Sequence, residues 1–168
     1  MDILIVDGYN IIGAWPELRV LKDKDLSAAR DKLIEKMAEY KAYSEQRVII
    51  VFDAQFVTGN EKNLKNHKVE VIFTKKNETA DERIEKMAIS LNNRRTKIYV
   101  ATSDYTEQWA IFGQGALRIS ARELLIEMEA IEKRIEKKVK IIQDKKPSSK
   151  IPLSKEIAEI FEKWRRGQ

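Results

Sequence analysis

Five short runs of apolar, largely β-branched residues limit most strongly how this chain can fold. They are Ile3–Val6, Val48–Phe52, Val69–Phe73, Ile98–Ala101 and Leu117–Ile119. Each is nearly continuous rather than alternating. A strand with one wet face shows a period-two pattern, whereas a strand covered on both faces does not. The runs therefore read as strands of a parallel sheet enclosed between helices. The segments between them supply the helices. Leu26 to Tyr43 carries an apolar stripe at Leu26, Ala29, Leu33, Met37 and Tyr40. Ala80 to Leu91 opens on Thr79-Ala80-Asp81-Glu82, a capping-box pattern. A shorter helix is predicted over Tyr105 to Phe112, with Trp109 in the core, and a long one from Ser120 to about Val139. Strand and helix in alternation predict an α/β fold of three layers, with a central, mostly parallel five-stranded sheet. Lys145 to Pro152 reads as a linker, followed by an amphipathic C-terminal helix over roughly Ser154 to Arg166. The expected division is a body at 1–143 and a basic segment at 144–168.

Composition narrows the class further. Hydrophobic residues make up 43% of the chain and charged residues 35%, which suits a folded domain with solvated helices. There is no cysteine, so a disulfide scaffold and a thiolate zinc site are excluded. The opening MDILIVDGYN is too short in apolar run and too acidic for a signal peptide, and a cytoplasmic protein is expected. Charge is uneven. Between Lys137 and Gln168 stand ten basic and four acidic residues, against 22 basic and 23 acidic in the rest. A neutral body with a basic end points to a polyanionic partner, or else to a solvated Lys-rich helix end.

In open parallel sheets, ligands bind beyond the carboxyl ends of the strands. Asp7 follows the first strand, Asp53 the second and Asp104 the fourth, while Asp81 opens the helix after the third. Four aspartates brought to one sheet edge repel unless neutralised, and a hard divalent cation is the general remedy. Mg²⁺ or Mn²⁺ suits such an all-oxygen set, and phosphodiester hydrolysis is the chemistry that follows. Each aspartate also has an innocent reading. Asp104 makes a helix cap, Asp81 answers the helix dipole, Asp53 serves a turn and Asp7 holds the Gly8 turn by accepting backbone N–H bonds.

Asp7-Gly8-Tyr9-Asn10, Phe52-Asp53, Thr79-Ala80-Asp81 and Thr102-Ser103-Asp104, in that order, resemble the NYN branch of the PIN-like nucleases. Order and spacing are similar to the bacterial YacP-type family, which includes ribosome-associated endoribonucleases that cleave mRNA. The resemblance covers roughly residues 1–143. It implies a PIN-like fold with an acidic metal site. By position, Asp7, Asp81 and Asp104 match the metal-binding carboxylates, with Asp53 as a ligand through water or a support. Asn10 matches the polar residue that orients the site. Ser103, near a helix start, is expected to hold a phosphate or a carboxylate.

RNA affinity comes mainly from Lys and Arg. Lys75 and Lys76 end the third strand, Lys65 and Lys68 lie in the basic loop Asn60 to Lys68, and Lys145 and Lys146 open the basic segment. Arg94 and Arg95 fall at the far sheet edge. His67, the sole histidine, is in the loop, so histidine-pair chemistry is excluded. Tyr9 and Trp15 are candidates either for base stacking or for packing. A dehalogenase-type phosphatase would need an aspartate where Tyr9 stands. A dinucleotide fold would need more glycines than Gly8. The reading is thus a metal-dependent endoribonuclease acting on single-stranded RNA, with a non-catalytic RNA- or ribosome-binding module as the alternative.

Overall fold

The structure is a computed structural model that describes residues 1–54, 69–103, 115–150 and 165, with backbone alone for 145–150. Its strands are β1 (Ile3–Asp7), β2 (Arg47–Phe52), β3 (Glu70–Phe73), β4 (Ile98–Ala101) and β5 (Leu117–Ile119). Its helices are α1 (Gly8–Ala14), α2 (Pro16–Lys24), α3 (Leu26–Ser44), α4 (Ala80–Leu91) and α5 (Ala121–Lys150). The chain divides into two compact units, Met1–Glu129 and Ala130–Gln168, so the boundary falls inside α5.

The sheet belongs to the first unit. All four strand pairings are parallel, in the order β3-β2-β1-β4-β5. β1 is central and completely buried, as its continuous apolar run predicts. One face carries Ile3, Ile5, Ile49, Val51, Ile98 and Val100, packed against Ala80, Ile84 and Ala88 of α4. Period-two alternation sends Leu4, Val6, Val48, Ile50 and Phe52 to the opposite face. The chain runs outward from β1 to β2 and β3, then returns through α4 to set β4 on the other side of β1. Strand order therefore reverses between β1 and β4.

All five strands fall where the sequence places them, within one residue at each end. Two helices were not anticipated. α1 starts without an acidic first turn or a capping side chain, and α2 begins on Pro16 and Glu17 after Trp15 but has no capping side chain either. By contrast α3 is capped by Asp25, whose carboxylate accepts from the Ser27 and Ala28 N–H groups, and ends on Glu45 in the left-handed region. α5 continues through Lys145–Lys150, where a linker was expected. One proline removes a single ladder donor and lowers helix propensity without forbidding the helix. The predicted helices at 105–112 and 154–166 lie outside the described residues, apart from Arg165, which is helical.

Candidate active site

β1 ends on Asp7, which is 5% exposed. Being in phase with Ile3 and Ile5, its Cβ leaves the sheet on the α4 face. Asp7 is also the residue before α1, yet its side chain makes no capping hydrogen bond there. α4 runs away from the same sheet edge, and Asp81 stands exposed in its first turn. The cap of α4 is Thr79, whose Oγ1 accepts the Glu82 N–H at 3.2 Å, and Asp81 and Glu82 make the first turn acidic, which also suits the helix dipole.

Neighbouring strand ends are tied together at this edge. The Ala54 N–H donates to Thr74 Oγ1 at 2.9 Å, joining the exits of β2 and β3. The Thr102 N–H donates to the Ile119 carbonyl at 3.1 Å, joining β4 to β5. Between β1 and β4 the link is made by side chains. Asn10 Oδ1 accepts the Ser103 backbone N–H at 2.8 Å and a second, short hydrogen bond from the Ser103 hydroxyl. Both Ser103 donors are thus directed at Asn10.

The turn from β3 to α4 is organised around Glu78. The Glu78 N–H closes on the Lys75 carbonyl at 3.0 Å, with Asn77 at φ 71°. Glu78 Oε1 accepts the Lys75 N–H at 3.2 Å, Lys86 Nζ lies 3.0 Å from Oε2, and Arg83 Nε lies 3.3 Å from Oε1. Hydrogen bonding from Lys86, then from the Lys75 N–H, holds the Glu78 carboxyl below the ordinary glutamate value. Lys75 and Lys76 are exposed on this turn, at the edge that carries Asp7. Sequence reading missed Glu78 and Thr74, because their partners follow from the turn geometry and not from spacing.

Behind the site the packing is aromatic. Tyr9 meets Phe52 at a centroid distance of 5.0 Å, and Phe52 stacks on Phe73 at 5.8 Å. Arg30, 2% exposed on α3, donates to the Tyr9 hydroxyl at 2.9 Å. Trp15 is core, 1% exposed, and its Nε1–H donates to the Ala121 carbonyl at 2.8 Å. Of the two stacking candidates, Trp15 is therefore a packing residue. Asp53 is half-buried just past β2. Arg94 and Arg95 are exposed in the turn before β4, at the opposite sheet edge as expected. Asp104, Lys65, Lys68, His67 and Trp109 lie outside the described residues, as do the side chains of Lys145 and Lys146. Among the described residues, no three His, Cys, Asp or Glu side chains group closely enough to hold a metal, so Asp7, Asp53 and Asp81 do not form such a group by themselves.

A family model for the YacP-like NYN domain matches residues 4–166. The chain belongs to the YacP-like NYN family. It is 67% identical to the Bacillus subtilis protein described as uncharacterized protein YacP, over 99% of this chain and 98% of that one. The crystal structure of Rae1 (YacP) from Bacillus subtilis superposes with a TM-score of 0.80 at 67% identity, covering 99% of this chain and 96% of that chain. Its W164L mutant gives 0.76 at 65% identity, covering 84% and 83%. Membership of this NYN family points to nuclease activity in general and to RNA as the class of substrate. No helix among the described residues is long and apolar enough to cross a membrane.

Proposed function

We propose that the protein is a metal-dependent endoribonuclease that hydrolyses phosphodiester bonds of single-stranded RNA in the cytoplasm, with ribosome-associated mRNA as its substrate. The observation that carries this reading is the placement of Asp7. It is a buried carboxylate at the end of the central strand, on the face where α4 begins with Asp81. Oxygen-only donors of this kind fit Mg²⁺ or Mn²⁺ and fit zinc poorly. Asp7, Asp81 and Asp104 would hold the ion, with Asp53 in support. When bound, such an ion supplies a Lewis acid for a phosphate oxygen and lowers the pKa of water.

The remaining work falls to the chain itself. Lys75 and Lys76 offset the charge of the RNA backbone where it nears an acidic edge. Glu78 fixes the turn that carries them and occupies Arg83 and Lys86. Segment 1–143 forms the nuclease body, and the basic residues of 144–168, including Lys145 and Lys146, together with Lys65 and Lys68, add contacts to RNA or ribosome.

The test is cutting of a single-stranded RNA in Mg²⁺ or Mn²⁺ by the parent, Asp7→Asn and Asp81→Asn. Both variants should fold normally, retain RNA binding and lose roughly a hundred-fold or more in rate. Parent-like cutting by either variant would overturn the site. RNA binding by a parent that cuts nothing would leave a non-catalytic module.

A further inference from the structure

The carboxamide of Asn10 is committed to the exit of β4. Asn10 lies in the first turn of α1, directly past β1, and Ser103 lies two residues past β4. The bonds between them span the point where strand order reverses, the usual place for a ligand crevice. Which amide atom faces Ser103 is decided by chemistry. A backbone N–H can only donate, so the atom 2.8 Å from it must be the oxygen. That oxygen carries no proton, so the Ser103 hydroxyl, also in contact with it, must donate as well. An amide oxygen has two lone pairs, and one residue fills both. Nothing of Oδ1 is left for an ion or a water, and the only group Asn10 can still offer is its NH₂.

We propose that Asn10 is a positioning residue: its Oδ1 clasps the Ser103 backbone and hydroxyl, and so fixes the β4 exit, from which the chain continues into Asp104, against the β1 exit that carries Asp7. The claim rests on the nuclease reading for its consequence, though not for its geometry. A parallel sheet needs such a device here. β1 and β4 pair only as far as Val6 and Ala101, so backbone hydrogen bonds stop short of the residues that matter. The paired side-chain bonds extend the register by two residues beyond the ladder.

Amide hydrogen exchange of the metal-free full chain reads the clasp directly. The Ser103 amide should be protected in the parent, and Asn10→Asp should keep that protection because a carboxylate oxygen accepts both bonds. Ser103→Ala should keep it too, since only the hydroxyl bond is lost. Asn10→Ala should speed Ser103 exchange roughly ten-fold, the scale of one lost hydrogen bond, while the amides of Val6 and Val100 stay protected. Asn10→Gln, which displaces the oxygen by one methylene, should do the same and serves if Asn10→Ala does not fold. In RNA cutting, Asn10→Ala should lower kcat about a hundred-fold with KM little changed, as misplacement of a reacting group does. Unchanged Ser103 exchange in Asn10→Ala and Asn10→Gln would overturn the clasp. Lost protection with parent-like kcat would overturn its positioning role. Should the parent cut no RNA, the nuclease reading falls, while the exchange result still decides the clasp.

Discussion

At the scale of single residues, the site depends on one missing side chain. Gly8 follows Asp7, and a Cβ built there would overlap the Phe52 ring. Phe52 is fully buried between Tyr9 and Phe73, so the ring has nowhere to move. Gly8→Ala should therefore destabilise the fold by about 1–3 kcal/mol, the usual cost of overpacking. Urea unfolding measures it. Phe52→Leu should recover part of the loss in the double variant, because the two positions touch. Simple additivity would show that Gly8 serves something else. In sequence Gly8 reads as a turn after the first strand, yet what makes a side chain impossible there is a ring from β2. Such a partner is invisible in sequence because a distant strand supplies it. The same limit applies to Asn10, whose polar role was legible while its bond to Ser103 was not.

At the scale of elements, the β3–α4 turn shows how a local charge arrangement sets the start of a helix. Glu78 is held ionised by Lys86 and by the Lys75 N–H. Its folded-state pKa is lower than its ordinary value of 4.5. A carboxylate shifted down stabilises the fold above its unfolded pKa, and the contribution fades as pH falls through the folded value. Glu78→Gln should therefore be less stable than the parent near neutrality, and the gap should close as pH drops below 4.5. Thermal unfolding followed from pH 7 to acid reads this, and a gap independent of pH would mean that Glu78 acts by shape and not by charge. Arg47 holds Glu70 down in the same sense at the other end of the sheet, by a bidentate pair at 2.6 and 2.8 Å. α3 and α4 were legible because an apolar stripe marks the first and the Thr79 capping pattern opens the second. α1 and α2 were not, since short helices without capping side chains are held by packing.

At the scale of the whole molecule, charge is segregated along the chain, and affinity for a polyanion should follow it. Neutralising Lys145, Lys146, Lys150, Arg165 and Arg166 should weaken RNA or ribosome binding and flatten its dependence on salt, since each phosphate contact adds to the slope. A titration at several salt concentrations decides it, and an unaltered slope would make the segment a solvated helix end. The sheet was readable from sequence because burial on both faces leaves uninterrupted apolar runs, whereas its strand order was not, because nothing in the runs themselves says which neighbours meet. That order carries a consequence for biosynthesis. β1 is made first and sits in the middle, yet one of its two neighbours, β4, is among the last strands to leave the ribosome. Long loops must close before such pairings form, which makes them late events in folding. A nascent chain that already contains Asp7 and Asp81 still lacks the strand that completes the crevice beside β1. On the proposed nuclease reading, a chain still being made thus carries an unfinished site until β4 pairs with β1.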